Sequence, residues 1–180
     1  MKTSRLSPAV VSLVSLFAAA CGPSLASIHE RALTGHVQED APLHARRSIT
    51  IAAPRGRVFA LVADVAGWPA WQPNVTKVTP PAALRPGARF TWVNGKSEIS
   101  SQVAAMRSEE LLAWTGSVAT AKAVHLWRFS SPTPDTTRVD VEETMDGFLL
   151  TWFYGQKELD AEMSRSLDHL RMAAEVAPGP

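Results

Sequence analysis

The chain of 180 residues contains one cysteine, Cys21, and one tyrosine. A solitary cysteine cannot close an internal disulfide, so no cross-link supplements the core. Long runs of one charge are also missing. With 18 Lys and Arg against 17 Asp and Glu, the formal charge is +1. The chain therefore lacks the clustered basic footprint of a nucleic-acid-binding domain, and no nucleic-acid partner is expected. There is no Gly-rich phosphate loop, no Gly-x-Ser-x-Gly elbow and no Cys/His nucleophile arrangement. His29, His36 and His44 match no metal-ligand spacing, and His125 and His169 stand far from them, so neither a metal nor a cofactor is implied.

What is present is an ordinary globular balance, 46% hydrophobic and 19% charged, at a length that suits one domain. Six tryptophans supply large apolar area with one donor each, suited to cores and ligand pockets alike. Residues 1–20 read as an export signal. Lys2 and Arg5 precede the apolar stretch Ala9 to Ala20, which is shorter than the roughly 20 residues a bilayer span needs. Ala18-Ala19-Ala20-Cys21 is similar to a bacterial lipobox, in which the cysteine carries lipid and anchors the protein to a membrane, although Leu is commoner three places before the cysteine. Ordinary cleavage after Ala20 or Ala26 is the alternative. Residues 21–45, with scattered Pro, Gly, His and charge, read as a flexible tether. The domain is expected over 46–176, with a tail at 177–180.

Along the domain, Ser48 to Ala52 alternates as a strand, and Pro54 opens a short helix with Val58, Phe59, Leu61 and Val62 on its apolar face. Asp64 to Pro73 reads as a compact turn or second short helix, followed by a strand at Val75 to Val78. Asn94-Gly95 at a hairpin tip places Trp92 opposite Ser97 and Phe90 opposite Ile99, with Phe90, Trp92, Ile99 and Val103 on one face. Arg107 to Glu110 reads as the next loop, setting Leu112 opposite Ala105 and Trp114 opposite Val103. In the last hairpin, pairing Phe129 with Val139 sets Trp127 beside Val141 and His125 beside Glu143, and Arg128 beside Asp140 on the solvent face. Leu149, Trp152, Leu159, Met163, Leu167, Leu170 and Ala174 then recur at helical spacing, a long C-terminal helix. The element order excludes a parallel doubly wound sheet. It predicts an α+β fold, a curved antiparallel sheet of about seven strands wrapped around the terminal helix.

These pieces in this order resemble the SRPBCC superfamily, the START-like, polyketide-cyclase/dehydrase-like and birch-pollen-allergen-like helix-grip fold. The matching fragments are Ile51 to Pro54 with Val58 to Asp64, Trp68 to Pro73, Leu84 to Phe90, Leu112 to Trp114, His125 to Phe129, Thr137 to Val139, and Glu142 to Thr144 leading to Gly147-Phe148. The resemblance covers Arg46 to Glu175. It implies a cavity between sheet and helix for a hydrophobic small molecule or lipid. It does not imply one chemistry, since members include carriers, sensors and cyclases.

Phe90, Trp92, Trp114, Trp127 and Trp152 are candidates to line that cavity, with core packing the alternative for each. Trp68 and Trp71 fall where the family has a lid-like corner; their plain role is to plug the sheet end. His125 and Glu143 share the apolar inner face, where a lone charge is costly and a paired one tolerable. They are candidates for a proton donor–acceptor couple, or for a contact that orients a ligand. The expectation is an exported, lipid-anchored or periplasmic envelope protein that binds a hydrophobic small molecule or lipid without catalysis. A cyclase or dehydrase using His125 and Glu143 is the first alternative, and an envelope interaction domain with a closed pocket the second.

Overall fold

Residues 22–148 and 150–176 are described by the structure, a computed structural model. The expected export signal at 1–20, Cys21, Leu149 and the expected tail at 177–180 lie outside them. Seven strands form one antiparallel sheet in the order β1-β7-β6-β5-β4-β3-β2. They are β1 (Leu43–Ile51), β2 (Val75–Thr79), β3 (Arg89–Asn94), β4 (Ser97–Arg107), β5 (Leu111–Val118), β6 (Ala121–Thr133) and β7 (Thr136–Gly147). Helix α1 (Leu25–Leu33) precedes the sheet, and α2 (Arg55–Ala63) and a 3₁₀ helix (Val65–Ala70) follow β1. The single turn α3 (Leu150–Phe153) and the long α4 (Gln156–Glu175) close the fold. The helix-grip architecture expected from the sequence is what the chain adopts.

Alternation along the strands sends one set of side chains to the inner face, where α4 lies. Leu159, Met163, Leu167, Leu170 and Ala174 recur at helical spacing and are buried against Leu43, Ala45, Val139, Val141, Trp127 and Phe129. The β6–β7 register is the one the cross-strand pairs demand: Phe129 opposite Val139, Trp127 opposite Val141, His125 opposite Glu143.

Four expectations are corrected. The first hairpin turns at Gly95-Lys96, with Asn94 paired to Ser97, Trp92 to Ile99 and Phe90 to Ser101. Gly95 alone takes a positive φ of 60°, the pattern of a type II′ turn, because Asn94 stays extended to pair with Val75 of β2. The shift is two residues, so it leaves every side chain on its expected face. In β4 a bulge between Val103 and Ala105 keeps Trp114 opposite Val103 but moves Leu112 from Ala105 to Met106. β1 begins at Leu43, five residues before Ser48.

The largest correction concerns the expected tether. Leu25–Leu33 is a helix, started by Ser24, whose Oγ accepts from the Ser27 amide at 3.1 Å, and ended before Gly35 at φ 78°. Ile28, Ala32 and Val37 are buried on the outer face of the sheet against Ala104, Leu111, Ala113, Val124 and Leu126. Polar contacts pin the segment along its length. Lys122 donates to the Pro23 carbonyl (2.6 Å), His29 Nδ1 meets Thr115 Oγ1 (2.9 Å), and Arg128 donates to the Gly35 carbonyl (2.6 Å). The outer face of β5 and β6 is therefore a second core, not a solvated surface.

That face also holds Glu142, whose side chain is 6% exposed. His44 Nε2 lies 2.8 Å and Arg46 Nη2 2.5 Å from its Oε1, and Arg128 Nη1 lies 3.5 Å from Oε2. Arg128 is opposite Asp140, as expected, but its guanidinium goes to Glu142 and Gly35, while Asp140 takes Arg138 at 2.7 Å. Burial pushes the Glu142 carboxyl up, and the hydrogen bonds from Arg46 and His44 outweigh it, so its pKa lies below the ordinary range. A carboxyl with a depressed folded pKa adds stability above its unfolded pKa and loses it as pH falls through the folded one. Glu142→Gln should thus cost about 1.5–3 kcal/mol near neutrality. The difference from wild type should vanish in acid, a convergence that urea titrations across pH 2–7 would measure.

Candidate functional site

The inner face is filled at one end and open at the other. At the filled end, Asp64 caps the 3₁₀ helix by accepting from Gly67, and Trp68 is driven under the sheet with its Nε1 donating to the Val62 carbonyl at 3.0 Å. Its ring packs edge-on against Phe90 (5.7 Å) and Trp92 (5.2 Å) and tilts against Trp114 (5.6 Å). Phe90, Trp127 and Phe129 complete this aromatic floor. Only a void of about 30 Å³ remains there, touched by Trp68, Trp71 and Trp127.

Beyond Trp92 and Trp114 the sheet curves away from α4 and leaves a cavity of about 300 Å³. This is the lower end of the range for small-molecule sites, about 300–1,000 Å³. Its sheet wall carries small or slender side chains, Ile99, Ser101, Gly116 and Ala123, so the space between the curved sheet and the helix is not filled from below. Met145, Leu150 and Met163 add apolar surface. Trp92 spends its indole N–H on Ser101 Oγ at 3.0 Å and so presents carbon to the cavity.

His125 and Glu143 meet at the wall, with Nδ1 to Oε2 at 3.3 Å and side-chain exposures of 14% and 18%. The imidazole is stacked between Trp114 (centroids 4.7 Å apart) and Trp127 (5.3 Å, planes 5° apart). The buried His125 Nε2 has no hydrogen-bond partner among the described residues. Across the cavity stand Tyr154 and Glu162, joined by a 2.7 Å hydrogen bond. Burial, then Glu162, then Glu143 hold the Tyr154 phenol well above its usual range, so it stays protonated and donates. Arg165, Ser166 and His169 continue the polar side along α4, and Ser166 donates to Gln72 Oε1 at 3.3 Å.

Of the residues singled out from the sequence, Trp92, Trp114, His125 and Glu143 line this cavity together. Phe90 is core and lines neither space, and Trp127 borders only the small void. Trp152 is a clear correction: it is 77% exposed on α3. The apolar helical spacing does not run through it, because α3 ends at Phe153 and α4 starts anew at Gln156, capped by Glu158 reaching back to the Gly155 amide at 3.1 Å. Tyr154, Glu162, Arg165, Ser166 and His169 were not anticipated at the site. The four on α4 carry a signal, a polar stripe at i, i+3, i+4 and i+7 beside the apolar one, while Tyr154 before the helix carries none. Among the described residues no group of three or more His, Cys, Asp or Glu is placed to hold a metal, and no helix is long and apolar enough to cross a membrane.

The sequence matches the family described as polyketide cyclase / dehydrase and lipid transport over residues 42–175. The chain belongs to this family. Solved structures agree on the fold of this cyclase and lipid-transport family member. A hypothetical protein, jhp0584, from Helicobacter pylori is 14% identical with a TM-score of 0.67, over 76% of this chain and 90% of that one. The Zhui aromatase/cyclase from Streptomyces sp. R1128 is 18% identical with a TM-score of 0.62, over 76% and 98%. A START superfamily protein from Mycobacterium smegmatis is 16% identical with a TM-score of 0.59, over 73% and 94%. No curated protein matches the sequence. The fold is consistent with a hydrophobic-ligand-binding domain of the SRPBCC type.

Proposed function

We propose that the protein is a binding protein for a hydrophobic small molecule or lipid, exported and anchored to a bacterial membrane through lipid on Cys21. The observation that carries the binding reading is the cavity of about 300 Å³ between an aromatic floor and α4, where the apolar surface of Trp92, Ile99, Trp114 and Met163 meets polar groups of His125, Glu143 and Tyr154. Such a wall pattern suits an amphipathic ligand, with its apolar body on Trp92, Ile99 and Trp114. A polar group would lie near His125, Glu143 and Tyr154. Trp92, Trp114, His125 and Glu143 are the proposed contact residues. The anchor reading is supported by Ala18 to Cys21 and the preceding apolar stretch, and Cys21→Ser should move the protein out of the membrane fraction.

A cyclase or dehydrase is the second reading, favoured by one feature: the His125–Glu143 contact at the cavity wall. Native mass spectrometry of full-length protein from its own source tests both, by looking for a co-purifying ligand. Gly116 lines the cavity, and a Cβ there would touch Ile99 Cγ2 at 3.4 Å, so Gly116→Leu projects into the space. This variant should lose ligand by about 10–100-fold, the scale of overpacking a filled site. His125→Gln and Glu143→Gln should each retain the ligand within about tenfold, the loss of one hydrogen bond. A compound consumed by wild type and spared by both variants, with turnover down about 10²–10⁴-fold, would replace the carrier reading by the enzyme.

A further inference from the structure

Three aromatic side chains within six residues face away from the protein: Phe148 is 76% exposed, Trp152 77% and Phe153 85%. Exposed apolar groups of this size, gathered in one place, mark an interaction surface more often than a solvated one. The turn that carries two of them is divided between two environments. Leu150 on α3 and Tyr154 just after it line the cavity, while Trp152 and Phe153 point outward. Neighbouring cavity wall comes from Val118, Ala121 and Lys122 at the same end of the sheet.

The N-terminal chain arrives at this end. Lys122 holds the Pro23 carbonyl at 2.6 Å, and a Cβ on Gly22 would overlap the Asp146 carboxylate. Asp146 pairs with Lys122 across β6 and β7, Gly147 with Ala121, and the Phe148 carbonyl accepts from Thr120 Oγ1 at 3.0 Å. Gly22, the first described residue, therefore lies at the same end of the sheet as Phe148 and α3. From this juxtaposition we infer that Phe148, Trp152 and Phe153 dock on the bilayer surface and set this end of the cavity against the membrane. Tryptophan and phenylalanine rings settle at the headgroup boundary, and a second contact converts a single lipid chain's marginal hold into stable attachment. An apolar ligand could then pass between bilayer and cavity beside α3 without crossing open water. The inference rests on the membrane attachment proposed above, but its own contact is separately measurable.

The test uses the full chain with phosphatidylcholine vesicles carrying brominated acyl chains, comparing wild type with Trp152→Phe and, in each, Cys21 with Cys21→Ser. The difference between Trp152 and Trp152→Phe emission isolates this ring. Docking requires that the Trp152 share be blue-shifted and quenched by brominated lipid. In the Cys21→Ser background, replacing Phe148, Trp152 and Phe153 by serine should weaken vesicle partitioning by about tenfold per ring inserted, without loss of fold because all three are exposed. Flotation that depends on Cys21 with Trp152 unquenched would overturn docking and leave the anchor standing. Quenching that persists in Cys21→Ser, with flotation indifferent to Cys21, would uphold docking and remove the anchor. Trp152 open to aqueous iodide in every case would overturn the inference.

Discussion

Trp127→Ala should destabilise the protein by about 3–5 kcal/mol, the cost of emptying a fully packed aromatic site. Trp127 is 2% exposed and stacks between His125 and Phe129 on the floor beneath α4. Its removal leaves a hole that rigid strands on three sides cannot close. Trp127→Phe is the informative companion. The Trp127 indole N–H is buried without a hydrogen-bond partner among the described residues, so phenylalanine removes a desolvated donor along with some area. Its cost should be well below that of alanine. Arg128→Ala, one residue along, should cost less than Trp127→Ala, about 1.5–3 kcal/mol, since it loses a charge-assisted hydrogen bond to the Gly35 carbonyl while His44 and Arg46 still hold Glu142. Urea denaturation of the three variants checks the set. Equal small losses at 127 and 128 would mean that the faces of β6 are reversed.

Ile28→Asp should release α1 from the sheet. Ile28 is 2% exposed between the helix and β5, and an unpaired carboxylate there would cost several kcal/mol if the helix stayed docked. Nine helical residues have little intrinsic stability in water, so once undocked α1 should also unwind. Hydrogen exchange should then show amides 25–33 losing their protection while β6 and β7, paired on both sides, keep theirs. Leu111, Ala113, Val124 and Leu126 would be uncovered, and the variant should self-associate more readily than wild type. A flexible tether would give no change in exchange on the same substitution.

The α1 correction has a physical cause that the sequence partly displays. Ser24 at the start and Gly35 just past the end are ordinary helix boundary signals, and Ile28 and Ala32 are spaced as a narrow apolar stripe. Such a stripe is too weak to require burial by itself. Its partner, the outer face of β5 and β6, is a run of Leu111, Ala113, Val124 and Leu126 that alternation alone assigns to the side opposite the core. Each half of the contact looks expendable until the two are seen together.

Alternation and cross-strand pairing by themselves determined which residues share a face. His125 opposite Glu143 and Trp127 opposite Val141 follow from sequence, because a one-residue slip would bury Arg128 and Asp140. The long C-terminal helix and the antiparallel order were legible for the same reason: period and polarity are local properties. Only the tertiary structure decided where the inner face is solid and where it is hollow. Phe90 and Trp127 follow the same alternation as Trp92 and Trp114, yet the first two are enclosed in the aromatic floor, whereas Trp92 and Trp114, both packed on Trp68, also border open space. Glu162 and His169 join the site because α4 crosses beside it, and Trp152 leaves it because the helix is interrupted between Phe153 and Gln156. Faces are set by neighbours along a strand, whereas a cavity is set by how far two elements, distant in sequence, stand apart.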